Sequence, residues 1–228
     1  MTRAEMGERF AMKDYASARL SMVQNQLQPN QLTDESVSAA MLAVPRERFV
    51  PETLGSVAYL DEDISLGCGR FLMEPRVFAR LLQAAEIDED DVVLDVGCAT
   101  GYSSAVISHL AGAVVALEED DELAHAAGEL LAELERDNVA VVSGSMCVGN
   151  PDQGPYDVIF VNGSIDQVKD TLIAQLCDGG RLLCVVGSAK IGKATLVTRR
   201  GEGADVRPLF DAAVPQLPGF ATEPGFVF

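Results

Sequence analysis

The chain has 228 residues, 48% of them apolar, with 35 acidic against 17 basic side chains and a formal net charge of −18. That size suits one large α/β domain. The charge argues against a nucleic-acid partner, which needs clustered Lys and Arg to neutralise phosphates, and against anionic membrane surfaces.

Five cysteines (Cys68, Cys98, Cys147, Cys177 and Cys184) contain no Cys-x-x-Cys pair. They indicate free thiols in a reducing compartment rather than a disulfide framework, and no zinc or other metal site is expected. Met1 to Phe10 carries Arg3, Glu5, Glu8 and Arg9 without an apolar run, so no signal peptide is expected there. The longest uncharged stretch, Val96 to Leu117, is broken by Thr100, Ser103, Ser104, Ser108 and His109, which excludes a membrane-spanning helix. Together these features predict a cytoplasmic protein.

In chain order, Met12 to Leu27 predicts a helix with its apolar stripe at Leu20, Val23 and Leu27. Thr33-Asp34-Glu35-Ser36 opens a second helix, stopped by Pro45. Gly55 to Met73 reads as loop with short extended pieces. Glu74-Pro75 starts the next helix, Val77 to Ala85, with proline where a first-turn residue is tolerated. From residue 91 strands and helices alternate: strand Val92–Val96, a glycine loop, helix Tyr102–Leu110, strand Val114–Leu117 and helix Asp120–Glu135. Strands Val139–Val142 and Tyr156–Val161, helix Asp166–Leu176 and strand Arg181–Val186 follow. The tail, Ala194–Thr198 and Val206–Val214, predicts two further strands, antiparallel. Near-continuous apolar strands alternating with helices predict a doubly wound, mainly parallel sheet covered on both faces. No linker separates two domains, so residues 1–228 read as one. Residues 1–74 form a helical extension with the substrate loop, and 75–228 a cofactor-binding α/β core. His109 is expected at a helix C-terminus as a dipole partner, and His125 on a helix rich in Ala and Glu; both read as structural.

The most informative element is Val93-Leu94-Asp95-Val96-Gly97-Cys98-Ala99-Thr100-Gly101-Tyr102. A strand feeding a glycine loop that opens a helix places a ligand at the strand's carboxyl end, against backbone N–H groups. The dinucleotide fingerprint wants glycine at its first, third and sixth positions; here these are Gly97, Ala99 and Tyr102, so it fails twice. An S-adenosylmethionine site needs an acid at the strand end and small residues beside the methionine half. Asp95, Gly97, Ala99 and Gly101 supply these. Glu118 ends the next strand at about the spacing of 20 residues from which an acid reaches ribose hydroxyls.

With these residues in view, the sequence resembles the protein-L-isoaspartate O-methyltransferase family over Arg19 to Val214. The resemblance rests on Met22-Val23, Gln26-Leu27, the specific stretch Val44-Pro45-Arg46-Glu47-Arg48-Phe49-Val50-Pro51, and Ala58-Tyr59-Leu60-Asp61. Gly67, Gly69, the Asp95 loop, Asp137-Asn138-Val139, Pro155-Tyr156-Asp157, Gly179-Gly180-Arg181-Leu182 and Val186-Gly187 extend it. It implies a Rossmann-like class I methyltransferase fold. It also implies transfer of a methyl group from S-adenosyl-L-methionine to the free carboxylate of isoaspartyl peptides or proteins, in protein repair, with S-adenosyl-L-homocysteine as product.

Three positions depart from the family pattern. Met73 stands where the family has the serine of Ile-Ser-x-Pro, Gly97-Cys98-Ala99-Thr100-Gly101 replaces a loop richer in glycine, and Ser145 replaces the acid expected at adenine. Arg70 and Arg76 flank Met73, either as carboxylate clamps or as solvated charges. Three readings stay open: an isoaspartyl carboxyl methyltransferase, a methyltransferase with another acceptor, and a non-catalytic relative that binds the cofactor or a protein partner.

Overall fold

The computed structural model describes residues 14–220, so the readings made for Met1 to Phe10 and for the start of the Met12 helix fall outside it. The first helix, α1 (Tyr15–Ser21), is capped by Asp14, whose side chain accepts from the Ser17 N–H. It passes into a π-helical turn, Met22–Leu27, and a short 3-10 turn, Gln28–Asn30. This corrects the expected single helix and, at Leu20 alone, its apolar stripe. The widened turn puts Met22 into the core beside Val23 and Leu27, while Leu20 is left 44% exposed.

Helix α2 (Glu35–Ala43) has Asp34 as its cap, accepting from the Ser36 and Val37 N–H groups. It ends where Val44, preceding Pro45, turns extended. Two 3-10 turns follow, Arg46–Phe49 and Glu52–Val57. The expected loop to Met73 contains a small antiparallel hairpin, β1 (Ile64–Gly67) and β2 (Arg70–Leu72). Helix α3 (Pro75–Ala85) then begins on Pro75 itself.

The alternating part forms strand β3 (Val92–Val96), helix α4 (Tyr102–Ile107), strand β4 (Ala113–Glu118), helix α5 (Asp121–Glu133) and strand β5 (Val139–Ser143). Strand β6 (Tyr156–Ile165), helix α6 (Asp170–Ile173) and strands β7 (Leu176–Gly187), β8 (Gly192–Arg200) and β9 (Gly203–Ala212) complete it. The sheet order is β5-β4-β3-β6-β7-β8-β9. The pairs from β5 to β7 are parallel, and β8 and β9 are added antiparallel, as expected.

Helices α4 and α6 are much shorter than predicted. Helix α6 covers four residues, since Lys169 before it is extended and Leu176 is already taken into β7. Helix α4 stops at Ile107, which leaves His109 in the turn beyond it. Partial burial, and then the Arg136 guanidinium 2.9 Å from Nε2, lower the His109 pKa.

The central strands are mostly apolar because both of their faces are covered, with Asp95 and Glu118 at their carboxyl ends. Val93, Val114, Ala116, Val158 and Phe160 join one apolar cluster; Leu94, Val96, Val115, Ile159 and Val161 join the other. The period of two along a strand sorts them. The first cluster runs from Met22 to Val214, so the N-terminal segment packs on the same core as the sheet. Phe49, Tyr102, Phe78 and Phe160 carry this packing in a row, each successive pair of ring centroids 5.5 Å apart. Strand order reverses at β3, between β4 and β6, and a crevice is expected outside the carboxyl ends there.

Candidate functional site

The crevice begins at Asp95, penultimate in β3 and fully buried. Its carboxylate accepts from Ser103 Oγ at 2.6 Å, from Ser104 Oγ, and from Asn162 Nδ2 at 2.6 Å. Burial pushes its pKa up, and these three donors oppose that shift. Asn162, in β6, also donates to the Val96 carbonyl, so it ties the two strands together at the switch point.

The glycine loop turns sharply: φ is +74° at Gly97, +50° at Ala99 and +92° at Gly101. Positive φ is cheap for glycine and unusual for Ala99. The loop is anchored on three sides. The Gly97 and Cys98 N–H groups donate to the Leu117 carbonyl at 2.8 and 3.2 Å, and the Ala99 N–H to Glu118 Oε2 at 2.7 Å. Thr100 Oγ1 donates to the Phe49 carbonyl at 2.7 Å, which joins the loop to the Val44–Pro51 stretch.

Glu118, at the end of β4, is fully buried. Its Oε1 accepts from the Glu119 and Asp120 N–H groups. Its Oε2 accepts from Ala99 and from the Arg70 guanidinium, at 3.0 Å from Nη2 and 3.3 Å from Nε. Arg70 Nη2 also donates to the Gly97 carbonyl at 2.6 Å. Arg70 is therefore turned inward, 3% exposed, onto the residues expected to hold a cofactor.

Two more side chains close the crevice. A Cβ on Gly97 would lie 2.6 Å from Arg70 Nη2, 2.9 Å from Leu217 Cδ1 and 3.2 Å from Met146 Sδ. Leu217 arrives on the segment after β9, which pairs with β6: Ser164 N–H donates to the Pro215 carbonyl and Leu217 N–H to that of Ser164. Met146, not Ser145, is the residue after β5 that packs here, since Ser145 faces solvent.

Met73, 6% exposed, follows the hairpin. It borders two small cavities of about 10 Å³ each, one reaching Cys98 and Tyr102, the other Asp63 and Gln216. Each has room for about one water, against some 300 Å³ or more for a small-molecule site. The Met73 carbonyl accepts from Arg46 Nη2 at 2.6 Å, and Arg46 Nε donates to the Ala58 carbonyl at 2.7 Å. Arg46 is completely buried, with its guanidinium carbon 4.7 Å from the Tyr102 ring centroid. Arg76 pairs with Asp61 at 3.3 Å and Glu74 at 3.4 Å. With Arg80, Lys193 and Phe210 it lines an open groove of about 670 Å³, apart from the crevice.

The structure thus brings Asp95, Gly97, Ala99, Glu118 and Arg70 together and sets Arg76 and Ser145 outside that group. Sequence reasoning did not single out Arg46, Asn162, Ser103, Ser104, Met146 or Leu217 as site residues. Serines opening a helix after a glycine loop were the readable hint; Asn162 and Leu217 reach the site only through strand pairing far along the chain.

The acceptor chemistry suits S-adenosylmethionine: two buried acids at adjacent parallel strand ends, joined by a loop of small residues. The space does not, in this conformation, because Arg70, Leu217 and Met146 fill it.

Residues 18–209 match the family model described as protein-L-isoaspartate(D-aspartate) O-methyltransferase. The chain is 36% identical over 189 residues to protein-L-isoaspartate O-methyltransferase 2 of Shewanella sediminis, covering 82% of this chain and 78% of that one. It is 38% identical over 186 residues to the Anaeromyxobacter sp. protein of that name, covering 81% and 76%. Among solved structures, a Plasmodium falciparum protein of this family in complex with S-adenosyl-L-homocysteine superposes with a TM-score of 0.75. It is 20% identical, over 87% of this chain and 97% of that one. A second protein-L-isoaspartate O-methyltransferase gives 0.75 at 23% identity, over 90% and 66%.

Proposed function

The chain belongs to the protein-L-isoaspartate(D-aspartate) O-methyltransferase family, and from that premise we propose that it is an S-adenosylmethionine-dependent carboxyl methyltransferase acting on isoaspartyl peptides or proteins. The observation that carries this reading is the pair Asp95 and Glu118, buried on either side of a glycine loop at the switch point. Asp95, Gly97, Ala99, Gly101 and Glu118 are the residues assigned to the cofactor, with Ser145 on the adenine side. Met73 holds the acceptor position. When bound, S-adenosylmethionine supplies an activated methyl group.

The chain's own task is then positioning. An acceptor carboxylate with a pKa near about 4 is already ionised at neutral pH, so no general base is needed. Orientation and exclusion of water are worth roughly 7–11 kcal/mol of a barrier. Met73 offers the acceptor no side-chain hydrogen bond. A missing hydrogen bond to a charged group costs about 1.5–3 kcal/mol, one to two decades in rate, so the activity is slowed rather than abolished. Arg76, beside the open groove, is the guanidinium placed to meet an acidic acceptor peptide from outside.

No described helix is long and apolar enough to cross a membrane. The five thiols are unpaired, which supports a reducing, cytoplasmic setting. We read residues 1–228 as a single methyltransferase domain. The test is an isoaspartyl-peptide methylation assay on the full chain. Wild type should be slow, and Met73→Ser should raise kcat/KM about ten- to a hundredfold. Met73→Ser protein that binds S-adenosylhomocysteine and methylates nothing would reject the isoaspartyl assignment.

A further inference from the structure

We propose that Arg70 is a built-in competitor for the cofactor site: its guanidinium occupies Glu118 and Gly97, and S-adenosylmethionine enters only when the hairpin that carries Arg70 swings away. This rests on the reading of the crevice as an S-adenosylmethionine site.

Saturation is the first argument. Every oxygen of the Glu118 carboxylate is already engaged, Oε1 by two backbone amides and Oε2 by Ala99 and Arg70. The backbone donors belong to the strand end and the loop and cannot leave without unfolding them. Arg70 is the one partner carried by a separate element, so a ribose diol that donates to Glu118 has to take Arg70's place.

Volume agrees. The Nη2 atom that bonds to Glu118 also bonds to the Gly97 carbonyl and lies where a Cβ on Gly97 would clash. The same atom therefore blocks both the ribose acid and the loop beside the methionine half.

The hairpin is also suited to move. Strand β2 is three residues long, the register slips between Ser65 and Gly67, and the turn runs through Gly67, Cys68 and Gly69, all at positive φ. Breaking a buried ion pair by removing one partner strands the other charge and is strongly destabilising, so Arg70 leaves Glu118 only as ligand donors take its place. Leu217, on the pairing segment above Gly97, has to shift with it.

The experiment is calorimetric titration of the full chain with S-adenosylhomocysteine, comparing wild type with Arg70→Gln and Arg70→Lys, each checked for a cooperative melt. Amide hydrogen exchange of residues 64–72 is followed in wild type with and without ligand. Arg70→Gln should bind at least tenfold more tightly than wild type, with Arg70→Lys between them. Exchange in the hairpin should rise on ligand binding, opposite to the usual protection. Equal affinities for wild type and Arg70→Gln would overturn the competitor while leaving the cofactor reading intact. Absence of binding in all three proteins would overturn both. Should Arg70→Gln fail to fold, the exchange measurement decides: a hairpin protected by ligand refutes the proposal.

Discussion

Two regions of this molecule each close over a buried arginine, and they differ in what the arginine holds. In the N-terminal region Arg46 bonds to the carbonyls of Ala58 and Met73 and lies against Tyr102, and among the described residues no carboxylate accepts from it. In the crevice Arg70 bonds to the Glu118 carboxylate and the Gly97 carbonyl. Backbone carbonyls buried in a loop have no other donor to turn to, so Arg46 is part of the frame. A carboxylate at the carboxyl end of a parallel strand can accept from a ligand as well as from a side chain, so Arg70 is exchangeable. Burial alone does not distinguish a structural cation from one that stands in a binding site; the nature of the acceptor does.

The largest effect expected from this comparison is at Arg46. Arg46→Ala leaves two buried carbonyls unpaired, at about 1–3 kcal/mol each, and opens a void between the 3-10 turns and α4. Denaturant melts should show a loss of roughly 2–5 kcal/mol, the same with and without S-adenosylhomocysteine, since the ligand stabilises this variant and the wild type alike. Arg70→Gln should instead gain more stability than wild type from the same ligand concentration, because it binds more tightly. Equal gains in the Arg70 variant and the wild type would erase the distinction between the two arginines.

Next in size is Asp95→Ala. Three donors, from Ser103, Ser104 and Asn162, lose their shared acceptor. Binding of S-adenosylhomocysteine by the Arg70→Gln protein should then weaken by more than roughly tenfold, since a charged hydrogen bond left unmade costs upwards of about 1.5 kcal/mol.

A smaller, pH-dependent effect is expected at Asp63, which borders the cavity beside Met73. Burial raises its pKa to about 6, against opposing contributions from the Glu74 N–H and Arg46. Because the folded value lies above the unfolded value of about 4, the unfolded chain loses its proton first as pH rises. Stability therefore falls between pH 4 and 6 and stays lower above that window. Asp63→Asn keeps the acceptor for Glu74 and removes the charge. Its melting temperature should exceed that of wild type at pH 8 and match it near pH 4; a constant difference across that range would dismiss this account.

The smallest effect belongs to the exposed pair Arg48–Glu133. Arg48→Ala should change stability by less than about 1 kcal/mol, and less again in high salt. It serves as the control for an arginine that is not desolvated.

Much of the frame was legible locally. Capping by Asp34, the Pro75 start of α3 and the apolar run Val92–Val96 are short-range signals, and they read correctly. In the first stripe Val23 and Leu27 read correctly and Leu20 did not, because a π turn changes the period after about two turns of helix. Helix α6 read too long because Lys169 turns extended before it and Leu176 is drawn into pairing with Tyr156 on β6. At the site, Asp95, Gly97, Gly101 and Glu118 were marked by their spacing from one strand to the next, and Arg70 by its nearness to Met73.

By itself, then, the sequence determined the strand-loop-helix order and where a ligand crevice must open, because periodicity, caps and glycine positions act over a few residues. Only the tertiary structure decided what fills that crevice. Arg70 meets Glu118 from 48 residues away and packs beside Leu217 from the far end of the chain. Whether a guanidinium faces solvent, a substrate or a buried acid depends on which elements the fold brings together, and nothing within its own neighbourhood in the chain encodes that.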